Sequence, residues 1–168
     1  FVQVARWAFS VVPWKWLDST VRTSSCVIIS SAGLMRQMYF PKWILPGYIV
    51  LANTYKFFLI LSLLVLLLAV SGIFSVTWFL LPLLIFLQLL LTAAISMVVS
   101  AVVPLIPDLK YAVNYGMTML FFLSGIFFDV SELGEPVKTW LLWNPVLILI
   151  DGYRSVLLYQ QGLDPLLL

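Results

Sequence analysis

The charged residues of this chain are few, and four of them, Arg6, Lys15, Asp18 and Arg22, fall in its first stretch. On a helix, Lys15–Asp18 and Asp18–Arg22 are i,i+3 and i,i+4 pairs, so one carboxylate stands between two cations and neutralises part of their charge. Ser19, Thr20, Thr23, Ser24, Ser25 and Ser30 surround them with hydroxyls. Trp14 and Trp16 follow Pro13 and lie close to Trp7; such rings stack on sugars, and they also form the aromatic belts of membrane–water interfaces. Asp151 and Arg154 make another i,i+3 pair, which reads first as a structural ion pair and second as a substrate site. Catalytic chemistry finds little support. Histidine is absent and Cys26 is the only cysteine, which excludes histidine metal sites, histidine acid–base pairs and internal disulfides. The chain contains no G-x-x-x-x-G-K-[ST] phosphate loop, no G-x-S-x-G, no H-E-x-x-H and no C-x-x-C. Most of the seven carboxylates fall at predicted loops or helix ends, and only Asp18 lies deep in a segment.

The residues that must hold these groups are overwhelmingly apolar. Of 168 residues, 63% are hydrophobic and 10% charged, with a mean hydropathy of +1.11. Soluble domains carry about 45–50% apolar and about 25% charged residues, so this chain cannot cover its apolar mass with polar surface. It is a membrane protein by composition. A net charge of +2 is too small to indicate a nucleic-acid partner. The chain opens on Phe1 without the basic stretch and cleavage site of a signal peptide, and it is expected to be a piece of a longer chain.

Between Lys56 and Asp108 there is no charged residue. One bilayer crossing takes about 20 residues, so this interval must fold back once. The turn belongs in residues 71–77, where small and hydroxyl residues interrupt the leucine-rich run. Helical spans are expected over 47–70, 78–103 and 110–128, because backbone polar groups in lipid must be satisfied within the segment. The acidic stretch 129–138 must leave the hydrocarbon. Residues 139–150 are too few to cross and contain Asn144-Pro145, which predicts a re-entrant or interfacial hairpin with 151–159. The fold class is therefore an all-α, polytopic helical membrane bundle forming a single domain.

Residues 1–32 admit two readings: an amphipathic helix lying on the membrane, or a span whose polar face lines a bundle or an aqueous path. Hydropathy favours the first. Residues 33–46 carry Arg36 and Lys42 and no acid, which places them in the cytoplasm by the positive-inside bias. Within them Leu34, Met35, Met38 and Tyr39 form one apolar face of a short helix. The plain reading is a loop whose cations set orientation. The sharper one is a docking helix, since methionine and aromatic side chains suit a groove on a soluble partner.

The stretch AGLMRQMYFPKWILP followed by VLANTYKF resembles the cytoplasmic coupling segment and next span of type-2 ABC transporter permeases, in particular those exporting polysaccharides and polyol phosphates such as O-antigen, capsule or teichoic acid. VPWKWLDS, VPLIPDLKYAVNYGMTMLFFLSGIFFD and WNPVLILIDGYRSVLL match the same pattern in the same order. The resemblance implies a six-span permease of which this chain is the middle: about four spans and a short external re-entrant hairpin, with residues 1–32 as the second span. It implies an inner (plasma) membrane protein of a bacterium or archaeon that works as a homodimer, with a lipid-linked glycan as substrate and a separate ATPase subunit. No cofactor is expected in this chain, ATP and Mg²⁺ being held by the ATPase. Leu34, Met35, Arg36, Met38, Tyr39, Phe40 and Pro41 would couple to that subunit. Trp14, Trp16, Asp18 and Arg22 would line the path, and Asn144, Asp151 and Arg154 would lie in the external gate, residues 129–160. The alternatives are a permease for another cargo, such as a drug or lipid, an intramembrane glycosyltransferase, which would need a dyad of acids, and a non-transporting scaffold. Replacing Met35 and Met38 by Asp in the full-length protein should abolish transport-coupled ATPase activity while leaving the ATPase subunit able to hydrolyse ATP alone; unchanged coupling would exclude the docking role.

Overall fold

In a computed structural model the chain is described over residues 2–31, 33, 41–70, 76–126, 141 and 143–159. Helix α1 covers Val2–Ser30, α2 Ile44–Val70, α3 Leu81–Val102, α4 Leu109–Leu123 and α5 Pro145–Arg154. A 3-10 turn, Val76–Leu80, leads into α3, and a π turn, Ser155–Tyr159, extends α5. Residues 71–75 of the expected turn, the acidic stretch at 129–138 and the coupling residues Leu34, Met35, Arg36, Met38, Tyr39 and Phe40 lie outside the described residues.

Helix α2 has 27 residues, about 40 Å at 1.5 Å per residue, which exceeds the roughly 30 Å hydrocarbon core. It begins three residues before the expected start at 47 because Pro46 sits in its first turn, where a missing N–H costs no intrahelical bond. Pro82 occupies the equivalent place in α3, and the 3-10 turn runs into it, so the apolar span is continuous over Thr77–Val102. The third uncharged run, expected to be helical over 110–128, is among the described residues helical over Leu109–Leu123. The chain turns at Gly125, whose φ of 69° is readily available only to glycine and ends the helix there. Fifteen residues give roughly 22 Å, short of a full crossing. Asn144 caps α5, its side-chain oxygen accepting from the Val146 N–H at 3.1 Å, and Pro145 opens the first turn. Residues 145–159 are therefore one helical arm, with Ile150 and Asp151 inside it and not at a hairpin tip.

Helix α1 packs against each of the other helices and occupies the centre of the bundle. That position suits a span and not a helix lying on the surface, the placement that hydropathy favours. It continues as one helix through Pro13. Ile28, near its end, shares a cavity with Trp43 and Pro46 at the start of α2, while Trp16 stacks on Phe57 at 4.2 Å, so α1 and α2 are antiparallel and cross near their midpoints. One side of α1, with Phe9 and Trp16, packs with Leu61, Leu84, Tyr153 and Leu157; another, with Trp14, Leu17 and Val21, packs with Met117, Val146 and Ile150.

The polarity of α3 is inverted relative to a soluble helix. Gln88, Thr92, Ser96 and Ser100 recur every four residues and are all buried, while Phe86, Leu90 and Val98 are exposed. Small and hydroxylated residues let two backbones approach closely in a membrane, where leucine gains nothing by leaving lipid. Gln88 uses that proximity, donating from Nε2 to the Pro13 carbonyl at 2.8 Å.

Arg154 locks the α5 arm into the bundle. Buried to 4% exposure, it donates to Ser10 Oγ at 2.6 Å and to the carbonyls of Gly125 and Ile126 at 2.9 and 3.1 Å, just where α4 ends. Arg154→Met keeps the apolar stem but strands these acceptors, and should lower stability by about 1–3 kcal/mol. Arg154→Lys should recover part of the loss, because an ammonium reaches fewer of the acceptors than a guanidinium fork. Thermal unfolding of the detergent-solubilised protein measures both variants, and no loss with Met would refute the locking role.

Candidate functional site

Near its midpoint, α1 carries the bundle's main charged network. Asp18 is 8% exposed and accepts from Arg22 Nε at 2.5 Å, one turn further along the helix. The same guanidinium donates to Asn114 Oδ1 at 3.3 Å and to Thr118 Oγ1 at 3.1 Å on α4. Arg22 is thus satisfied on three sides, by a carboxylate on its own helix and two polar groups on a neighbour. An arginine at mid-bilayer costs about 2.5–3.5 kcal/mol on insertion scales, and an ion pair with further hydrogen bonds offsets that cost.

Asp18 and Arg22 are neutral together, but Lys15 and Lys56 are not. Lys56 lies 12 residues into α2, roughly 18 Å from its start, and Lys15 lies close to the middle of α1. Both are exposed, and both line one groove of about 230 Å³ between the two helices, together with Trp16, Ser19 and Asn53. Among the described residues no carboxylate pairs with either lysine; Lys56 Nζ donates only to Asn53 Oδ1, at 3.4 Å. Exposed cations at this depth cannot rest against hydrocarbon without penalty, so this side of α1 and α2 fits water or another polar surface. Thr23 and Cys26 extend the exposed polar stripe along α1.

The sequence-predicted site residues separate into distinct environments. Asp18 and Arg22 come together as described. Trp14 and Trp16 are buried to 5% and 4% exposure, Trp14 tilted on Phe121 at 5.5 Å and Trp16 stacked on Phe57, so their rings fill the chain's own core. Asn144 caps α5 and donates from Nδ2 to the Leu123 carbonyl at 3.3 Å, while Asp151 lies 3.6 Å from Arg154 Nη1 and is 43% exposed at its side chain. Of the coupling residues only Pro41 is described, and its carbonyl accepts from the Ile44 N–H at 3.1 Å at the start of α2. Sequence reasoning missed Lys56, Asn53, Asn114 and Thr118. Lys56 reads as the border of an uncharged run, although its distance from Pro46 already places it more than two turns inside a span.

A polar-faced central helix packed against two leucine-rich helices fits a transporter's membrane domain, and comparison with known families decides the point. The model of the ABC-2 type transporter family matches residues 16–158. The chain belongs to that family. It is accordingly an all-α protein of the inner (plasma) membrane and a component of a transport system. Among curated proteins, it is 27% identical over 150 residues to the O-antigen export system permease protein RfbA of Myxococcus xanthus, covering 87% of this chain. It is 24% identical over 152 residues to a protein of the same name from Klebsiella pneumoniae, covering 89% of this chain. The chain spans 57% and 58% of the length of these relatives.

Within an ABC-2 permease the exposed stripe of α1 has a checkable consequence. On a Cys26→Ser background, single cysteines at Lys15, Ser19 and Thr23 should react with a membrane-impermeant thiol reagent in the assembled protein. Cysteines at Leu17, Thr20, Val21 and Ser24 should be protected, since those positions are buried. Uniform protection along α1 would mean that the stripe does not face water.

Proposed function

We propose that this chain is the central part of a permease subunit that exports a lipid-linked polysaccharide across the inner membrane, powered by a separate ATPase. The observation that carries the reading is the charged, hydroxylated stripe of α1, exposed at mid-depth within a chain that matches the ABC-2 family over residues 16–158. Two relatives named as O-antigen export permeases support the choice of cargo. A glycopolymer is rich in hydroxyls and needs a path lined with hydrogen-bonding groups. Ser19, Thr23 and the outer side of Arg22 supply these, with Asp18 fixing the arginine from behind.

Two copies of the permease would face each other across that path. Leu34–Pro41 would seat in a cleft of the ATPase, which binds ATP and Mg²⁺, and Pro41 would pass the movement directly to the first turn of α2. Trp14 and Trp16 would stiffen the wall from inside the protomer and would not touch the sugar. Asn144 and Arg154 would hold the α5 arm to the end of α4 as one rigid gate element, with Asp151 on its exposed side.

The test is reconstitution of the full-length permease with its ATPase in liposomes holding a lipid-linked O-polysaccharide on the outer leaflet for inside-out complexes. ATP-dependent appearance of polymer in the lumen is the expected result, abolished by an ATPase variant that cannot hydrolyse ATP. Transport of drugs or phospholipids without polymer movement would assign the chain to another cargo.

A further inference from the structure

The groove between α1 and α2 has a composition that the path alone does not require. Its polar lining is Lys15, Trp16, Ser19, Asn53 and Lys56, and its remaining walls are apolar, including Val11 and Ile60. Both lysines precede the stacked rings directly, Lys15 before Trp16 and Lys56 before Phe57, so the 4.2 Å stack fixes the two cation-bearing turns side by side. Trp16 lines this groove and is 4% exposed, and among the described residues its buried indole Nε1 has no acceptor. A buried donor without a partner carries an energetic penalty that a ligand oxygen would remove.

We propose that this groove binds the phosphate or diphosphate headgroup of a lipid-tailed molecule. Lys15 and Lys56 would meet the oxyanion charge, Trp16 Nε1 and the Ser19 hydroxyl would donate to its oxygens, and the apolar walls would take the first carbons of the tail. Two cations without carboxylates select an anion of more than one negative charge. The apolar walls select an amphiphile over a free inorganic ion. The depth of the site, near the middle of both helices, separates it from the level at which bulk phospholipid headgroups lie. The identity of the amphiphile as export cargo in transit rests on the function proposed above; phosphate recognition by the groove does not.

The experiment measures equilibrium binding of a radiolabelled hexadecyl diphosphate to the full-length permease–ATPase complex in nanodiscs made of a zwitterionic lipid. The wild type should bind it, with competition from unlabelled hexadecyl phosphate and none from hexadecanol. The double variant K15Q/K56Q should bind at least tenfold more weakly, while K15R/K56R, which keeps both charges, should stay within about threefold of wild type. Unchanged size-exclusion and thermal-unfolding profiles identify folded variants, and Trp16→Phe, which keeps the stack but removes the donor, gives a second reading with an expected loss of severalfold. Competition by phosphatidic acid as strong as by the diphosphate would support the phosphate site and assign its source to phospholipid headgroups. Wild-type affinity in K15Q/K56Q, or equal binding of hexadecanol, overturns the proposal. If those variants bind normally while polymer export proceeds in liposomes, the groove inference fails and the export reading stands; if the groove binds as expected but no polymer moves, the reverse holds.

Discussion

The ion pair between Asp18 and Arg22 lies near the middle of a helix that the other helices surround. What it leaves unsatisfied determines where they sit. A guanidinium has five N–H donors, and one carboxylate on the same helix satisfies only part of the fork. Asn114 and Thr118 take up one donor each from α4, which holds that helix against α1 although fewer than a full membrane thickness of residues anchors it. On its other side α1 meets α3 through small and hydroxylated residues, where Gln88 reaches the Pro13 carbonyl. The bundle is therefore assembled from polar contacts inside and leucine outside. That is the arrangement expected where lipid competes for apolar side chains as well as protein does.

A similar principle joins the α5 arm to the span bundle. Arg154 bonds Ser10 on α1 and the two carbonyls exposed by the turn at Gly125, so one buried side chain connects α1, the end of α4 and the arm. Asn144 adds a contact to the Leu123 carbonyl from the arm's other end. Both helix termini are thus closed by side chains in a region where water is scarce. The groove with Lys15 and Lys56 differs in kind, since among the described residues neither lysine has a carboxylate partner and the Trp16 indole has no acceptor.

Much of the architecture was legible because membrane physics writes it in coarse features. The charge-free, leucine-rich run after Lys56 marks the second half of α2 and all of α3, Asn144-Pro145 marks the start of α5, and the four charges of the first stretch mark a helix with a special environment. Detail was lost where partners are far apart in sequence. Arg22 and Thr118 are separated by 96 residues, and nothing local in either indicates the other. Trp14 and Trp16 illustrate a different limit: a tryptophan suits a sugar path, an interface and a core equally well, and only the neighbouring Phe57 and Phe121 decide for the core. Gly125 ended α4 early because a backbone angle, not hydropathy, sets that boundary.

The most direct test of a charged central span satisfied within the bundle is a double-mutant cycle on Asp18→Asn and Arg22→Gln, read by thermal unfolding of the full-length protein in lipid nanodiscs. Removing Arg22 strands the nearly buried Asp18, and removing Asp18 leaves the half-buried Arg22 without its counter-charge, so the double variant should be more stable than the sum of the single losses implies, with a coupling of about 1 kcal/mol or more. Strictly additive losses would contradict the account, since they would mean that Asp18 and Arg22 do not depend on each other inside the membrane.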